Sequence, residues 1–164
     1  MKSINYNSQK NSFLLISKFS ILSFILFFVL LSCSRNDEPI PSFTPRNIPF
    51  TVVGSGPYSG NAVTSNLVIQ NNAQWVTLKN ELTQNVTNQF TETNIDFNNF
   101  FLVAVIDNVR PNTGFDVNIN NILEYENNII VTVSSNNTGW GYQVLTRPFR
   151  IVKIPIQSKP IIFQ

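Results

Sequence analysis

Beyond residue 50 hydrophobic and polar positions alternate with a period of two over most of the chain, the mark of strands that turn one face to a core. Phe115, Val117 and Ile119 alternate with Asp116, Asn118 and Asn120, and Ile129, Val131 and Val133 alternate with Ile130, Thr132 and Ser134. Val63, Leu67 and Ile69 share a third apolar face. The run from Phe100 to Ile106 does not alternate and is rich in aromatic and β-branched residues. It predicts a central strand covered on both sides. Phe149 to Ile156 is a further strand. Pro148 and Pro155 lack the N–H that a sheet interior uses, so the expectation is an edge strand or a bulged one. Ile161-Ile162-Phe163 predicts a short terminal strand. Turn residues fall where a meander needs them, at Pro111-Asn112-Thr113-Gly114, Glu126-Asn127-Asn128 and Asn136-Asn137-Thr138-Gly139.

One segment departs from this period. Trp75, Leu78, Leu82 and Val86 recur at steps of three and four among largely polar residues, which predicts an amphipathic helix. Asn71 or Asn72 can cap it by accepting from an orphan N–H of the first turn, and Trp75 is its expected core anchor. The fold class that follows is mainly β, an antiparallel sandwich or partly open barrel with one amphipathic helix.

The first residues follow other rules. Lys2, Lys10 and Lys18 precede an apolar core from Phe19 to Leu31, which ends at Leu30-Leu31-Ser32-Cys33. The core has the length of a secretory signal and is short of the ~20 apolar residues of a membrane span. Its end resembles the bacterial lipobox, so residues 1–32 are expected to be a lipoprotein signal peptide and Cys33, the chain's one cysteine, the lipidated residue. Residues 33–49 carry Pro39, Pro41, Pro45 and Pro49 in polar surroundings and read as a semi-rigid tether. Residues 50–164 form the folded domain. Asp37 and Glu38 resemble acidic signals that send some lipoproteins to the outer face of the outer membrane, the alternative being a merely soluble linker, so the periplasmic and the surface face both stay open. The expected location is therefore the cell envelope, at the outer membrane. The membrane is reached through the lipid alone.

Removing the leader changes the charge. From Cys33 onward eight basic side chains face nine acidic ones, a net −1 where the full chain carries +2. No basic patch of the kind that neutralises phosphates is left, so nucleic acid is not an expected partner. The chain has no histidine. That sets aside imidazole-based nucleophilic and acid–base catalysis and most zinc sites, and no glycine-rich phosphate loop is present. No cofactor or metal is expected. Glu124 and Glu126, two apart on a strand, would lie ~6.8 Å from each other, but asparagines and a turn surround them and supply no burial to tune a catalytic pKa. The chain is read as not an enzyme.

Recognition chemistry gathers in two loops. In the first, Arg110, Asn112, Thr113, Gly114 and Phe115, the arginine can project a forked donor beside a turn. In the second, Trp140 and Tyr142 stand between glycines that give little cover, and Trp, Tyr and Arg dominate binding hot spots. Arg147 and Phe149 follow.

The order Tyr58-Ser59-Gly60, Gln74-Trp75, Asp96-Phe97, the core strand, Arg110 to Phe115, then Thr146-Arg147-Pro148-Phe149 and Ile154-Pro155 resembles the C-terminal domain of the protease complex subunit PrcB family. The resemblance implies a non-catalytic lipoprotein that accompanies and stabilises an exported or surface protease. Its partner would be held by Arg110, Asn112, Thr113, Gly114, Phe115, Trp140, Tyr142, Arg147 and Phe149. A second resemblance points to a different class. Asn112-Thr113-Gly114-Phe115 followed by Arg147-Pro148-Phe149 is similar to the loop motifs of chagasin-like inhibitors of papain-type peptidases, which would use loops 110–115 and 140–149 to plug an active-site cleft.

Overall fold

The structure, a computed structural model, describes residues 42–164; the signal peptide, Cys33 and most of the tether lie outside the described residues. The folded unit begins at Phe43, seven residues before the boundary expected from the proline content. Arg46–Asn47 forms a short strand, β1, and Ile48 is buried and donates its N–H to the Ile122 carbonyl at 2.8 Å. The end of the proline-rich segment is thus part of the domain, because Ile48 has apolar surface to bury.

Two four-stranded sheets follow, with no closed barrel. The first, in the order β1, β5 (Phe115–Glu124), β6 (Ile129–Asn137) and β8 (Ile161–Phe163), is antiparallel except for the parallel β6–β8 pair. The second, in the order β2 (Thr51–Gly56), β7 (Phe149–Pro155), β4 (Phe100–Ile106) and β3 (Ser65–Ile69), is antiparallel throughout. Its far face carries the helix α1 (Asn72–Glu81) and the short α2 (Gln84–Thr87). The result is three layers with two apolar interiors.

The central strand β4 serves both interiors. Leu102, Ala104 and Ile106 point to the helices, while Val103 and Val105 point to the other sheet. A strand buried on both faces has no position for a polar residue, which accounts for its unbroken apolar sequence. β7 behaves similarly, with Phe149 and Ile151 on the helix side and Val152 and Ile154 between the sheets. It lies between β2 and β4 and not at an edge. The two prolines do not prevent this, since Pro148 precedes the strand and Pro155 ends it, leaving the N–H groups between them for the ladders. The bulge of that ladder is on the partner strand, between Val52 and Gly54.

A second irregularity, between Ile119 and Asn121, adds one residue to β5 and reverses the phase of its side chains. Val117 and Ile119 are buried before it and Ile122 after it, so the alternation continues in the core although it breaks in the sequence. Val63 does not join the face it shares in sequence with Leu67 and Ile69. It lies outside β3 and is exposed.

The helix is capped as expected, the Asn71 side chain accepting from the Gln74 N–H at 3.0 Å. Trp75 is fully buried, donates its indole N–H to the Thr93 carbonyl at 2.9 Å and stacks on Phe90 with ring centroids 5.7 Å apart. The helix stops at Glu81 instead of running on to Val86. The Glu81 carbonyl accepts from the Asn61 N–H at 2.9 Å, a tie made by a turn in which Gly60 has φ +63° and a Cβ would stand 2.8 Å from that same carbonyl. Leu82 and Thr83 are extended, and Val86 reaches the core from α2.

Candidate functional site

The two loops singled out in the sequence form a single structure. Residues 110–114 belong to the connection 107–114 between β4 and β5, and loop 138–148 joins β6 to β7. Arg110 and Thr146 exchange backbone hydrogen bonds at 2.7 and 2.9 Å. The Thr113 N–H donates to the Tyr142 carbonyl at 3.2 Å, and the Tyr142 N–H donates to Thr113 Oγ1 at 2.9 Å. The Gly114 carbonyl accepts from the Thr138 N–H at 2.9 Å, and Thr146 Oγ1 donates to the Asn112 carbonyl at 2.7 Å. Asn112 Oδ1 accepts from the Gly114 N–H at 2.8 Å, closing an Asx turn inside the first loop. The two loops are therefore tied to each other at Arg110, Asn112, Thr113 and Gly114 on one side and Thr138, Tyr142 and Thr146 on the other, which is what holds a connection of this length in one shape.

Glycines make the approach close enough. A Cβ at Gly114 would meet the Trp140 carbonyl oxygen at 2.3 Å, and one at Gly141 would meet the Gly114 nitrogen at 2.3 Å. The face of residue 141 that would carry a side chain is pressed onto the first loop. Its neighbours project the other way: Trp140 is 86% exposed and Tyr142 85%. Val144, Leu145 and Val109 are exposed as well, and no charged residue occurs from Thr138 to Thr146.

Several residues expected at this surface have other tasks. Arg110 does not project its fork outward; Nε and Nη2 donate to the two Asp107 oxygens, each at 2.9 Å, and the guanidinium lies 5.0 Å from the centre of the Phe115 ring. Ser135 joins this pair, donating to Asp107 Oδ2 at 3.1 Å. Gly114 is buried beneath the second loop. Phe149, 1% exposed, belongs to the helix-side core beside Phe90 and has no surface to offer a partner. Asn112 and Thr113 are half-buried and act as the stitches just described. Phe115 is half-buried at the start of β5. Of the nine residues named from sequence, Trp140 and Tyr142 carry the exposed surface. Arg147 lines a separate cleft with Tyr58, a member of the motif order, and with Val109 and Leu145, which the sequence does not single out as site residues because single apolar residues in loops carry no periodic signal.

The carboxylates go to structure. Glu124 accepts from Lys159 Nζ at 2.8 Å and from the Arg46 guanidinium. The Lys159 hydrogen bond first, and the Arg46 one second, hold its pKa below the ordinary glutamate value. This direction is opposite to the raised value of a general acid. Glu126 lies beyond the end of β5, in the turn. Asp96 is also held low, by the Asn99 side chain and the Asn98 N–H that it caps at 2.7 and 3.0 Å.

No protein family, no curated protein and no solved structure matches the chain.

Proposed function

We propose that this chain is a non-catalytic, lipid-anchored accessory protein that binds and stabilises a partner protein in the cell envelope, an exported protease being the expected partner. The lipid anchor at Cys33 is carried by the sequence of the leader, the outer-membrane location by Asp37 and Glu38 behind it, and the protease by the motif resemblance. What supports binding is the presentation of Trp140 and Tyr142. Two large aromatic side chains are almost fully exposed on a backbone that the first loop and the Gly114–Gly141 contact hold in place. A free aromatic pair has a cost in water, and its main-chain frame is already ordered, so a partner that buries it gains area without ordering the loop. The inhibitor reading draws less support, since Phe149 of its second motif is in the core.

The test is co-purification from detergent-solubilised envelopes. Trp140→Ala with Tyr142→Ala is expected to lose the bound protein while the chain stays folded. An unchanged set of bound proteins would remove this surface from the function.

A further inference from the structure

Four arginines lie among the described residues, at 46, 110, 147 and 150. Arg46 pairs with Glu124, Arg110 with Asp107 and Arg150 with Asp116. Arg147 pairs with no carboxylate among the described residues. Its Nη1 donates to the Ala62 carbonyl and its backbone N–H to the Pro57 carbonyl, so the group is fixed; its Nε is enclosed with no acceptor. A half-buried charge held only by a carbonyl loses hydration and gains no ion pair in exchange.

Arg147 lines an open cleft of about 350 Å³ together with residues of the Tyr58–Asn61 turn, Val109, Leu145 and Thr146. No other charged residue lines it. The side chains of Tyr58 and Asn61 make no hydrogen bond among the described residues, which leaves a hydroxyl and an amide free to donate. Leu145 is 69% exposed, and Val109 and Tyr58 stand exposed beside it.

We propose that the cleft receives an acidic side chain of the partner protein, one set among apolar residues on that partner's surface. The inference rests on the protein-binding reading above and specifies what is read there. A guanidinium fork matches the planar carboxylate, and one positive charge matches one negative charge. A phosphoryl group would bring up to two charges to a cleft with one cation. The apolar rim excludes water when covered and so strengthens the pair. The cleft and Trp140 belong to one connection, so an acidic residue near an apolar patch would engage both.

The probe is a tripeptide of leucine, glutamate and leucine, blocked at both ends, titrated into the ¹⁵N-labelled full chain in non-ionic detergent. The expected result is a saturable shift of the Arg147 Nε–H signal and of the Leu145 and Val109 amides. The glutamine counterpart should bind roughly tenfold more weakly or worse. Leu145→Asp, which adds a charge at an exposed rim position and disturbs no core contact, should abolish the shift, and Arg147→Lys, which keeps the charge and loses the fork, should weaken it. Equal shifts with the glutamine peptide, or no shift, would overturn the proposal. So would stronger binding of inorganic phosphate, or of a glutamine peptide with a free C-terminal carboxylate, since the cleft would then read another anion. If Trp140→Ala releases the partner while the peptide fails to bind, this inference alone falls. If the peptide binds and the aromatic variants keep their partner, the earlier reading falls.

Discussion

Gly114 and Gly141 show how much the aromatic loop depends on single atoms. A methyl group at either position would meet backbone, which cannot rotate away as a side chain can, so Gly141→Ala is expected to cost about 1–3 kcal/mol. A fall in the denaturation midpoint at unchanged m-value would show it. The large side chains nearby divide into two kinds. Phe149→Ala opens a cavity beside Phe90 and should cost about 3–5 kcal/mol, whereas Trp140→Ala should stay within about 0.5 kcal/mol of the native chain. Urea unfolding of the two variants would separate them, and a large loss in Trp140→Ala would mean that the indole is packed. Glu124 gives the pH dependence. Because Lys159 and Arg46 lower its pKa in the folded state, its stabilisation is present above the unfolded value of about 4.3 and is lost as pH falls through the lower folded value. The native chain should therefore exceed Glu124→Gln in denaturation midpoint at neutral pH. The gap should close in acid, where the protonated carboxyl resembles the amide, and a gap constant down to pH 3 would contradict the ion pairs.

At the scale of elements, what could be read from sequence was what repeats locally. The unbroken run Phe100–Ile106 declared a strand covered on two faces, and the pair Asn71-Asn72 declared a cap that Asn71 supplies, because each is decided by a few neighbouring residues. The errors have causes in parts of the chain that are distant in sequence. Pro148 and Pro155 suggested an edge or a bulge, yet β7 is interior because they stand at its two ends, and the bulge of its ladder falls on β2. The Trp75 helix stops at Glu81 because the turn at Gly60 and Asn61 takes its last carbonyl. The stitching of Thr113 to Tyr142 had no sequence signal at all, since it joins backbone groups, which every residue possesses. The bulge in β5 lies between these cases. Asn120 supplies the extra residue that returns Ile122 to the core. Deleting Asn120 removes the bulge and leaves Ile119, Asn121 and Ile122 in plain alternation opposite Val133, Thr132 and Val131, so Ile122 should stay in the core and the loss should fall well short of the about 2–5 kcal/mol expected of Ile122→Ala. A drop in denaturation midpoint for the deletion as large as that of Ile122→Ala would mean that Ile122 has turned outward and that Asn120 is not the extra residue.

Across the whole molecule, the two ends of the β5–β6 ladder have different partners. Arg46 pairs with Glu124 at the end where the chain enters, and Phe115 pairs with Asn137 at the end from which the aromatic loop extends. Ten residues of β5 separate these ends, about 30 Å at 3.3 Å per residue. A lipid at Cys33 would act on the entry end, with the clasp of Glu124, Arg46 and Lys159 holding that end together. Trp140 and Tyr142 extend from the opposite end of that ladder, and for the lipid-anchored form proposed above the expectation is that a protein in the surrounding space reaches them. The contrasting arrangement, in which exposed aromatics dip into the headgroup region of the same membrane, predicts a different optical result. In vesicles carrying the lipidated full chain, Trp140 emission, isolated by subtracting the Trp140→Phe spectrum, should be quenched by aqueous iodide and indifferent to nitroxide-labelled lipid. Trp75 is fully buried and should respond to neither. Quenching of Trp140 by the labelled lipid would place the loop in the membrane, and a partner protein would then have to be sought on another face.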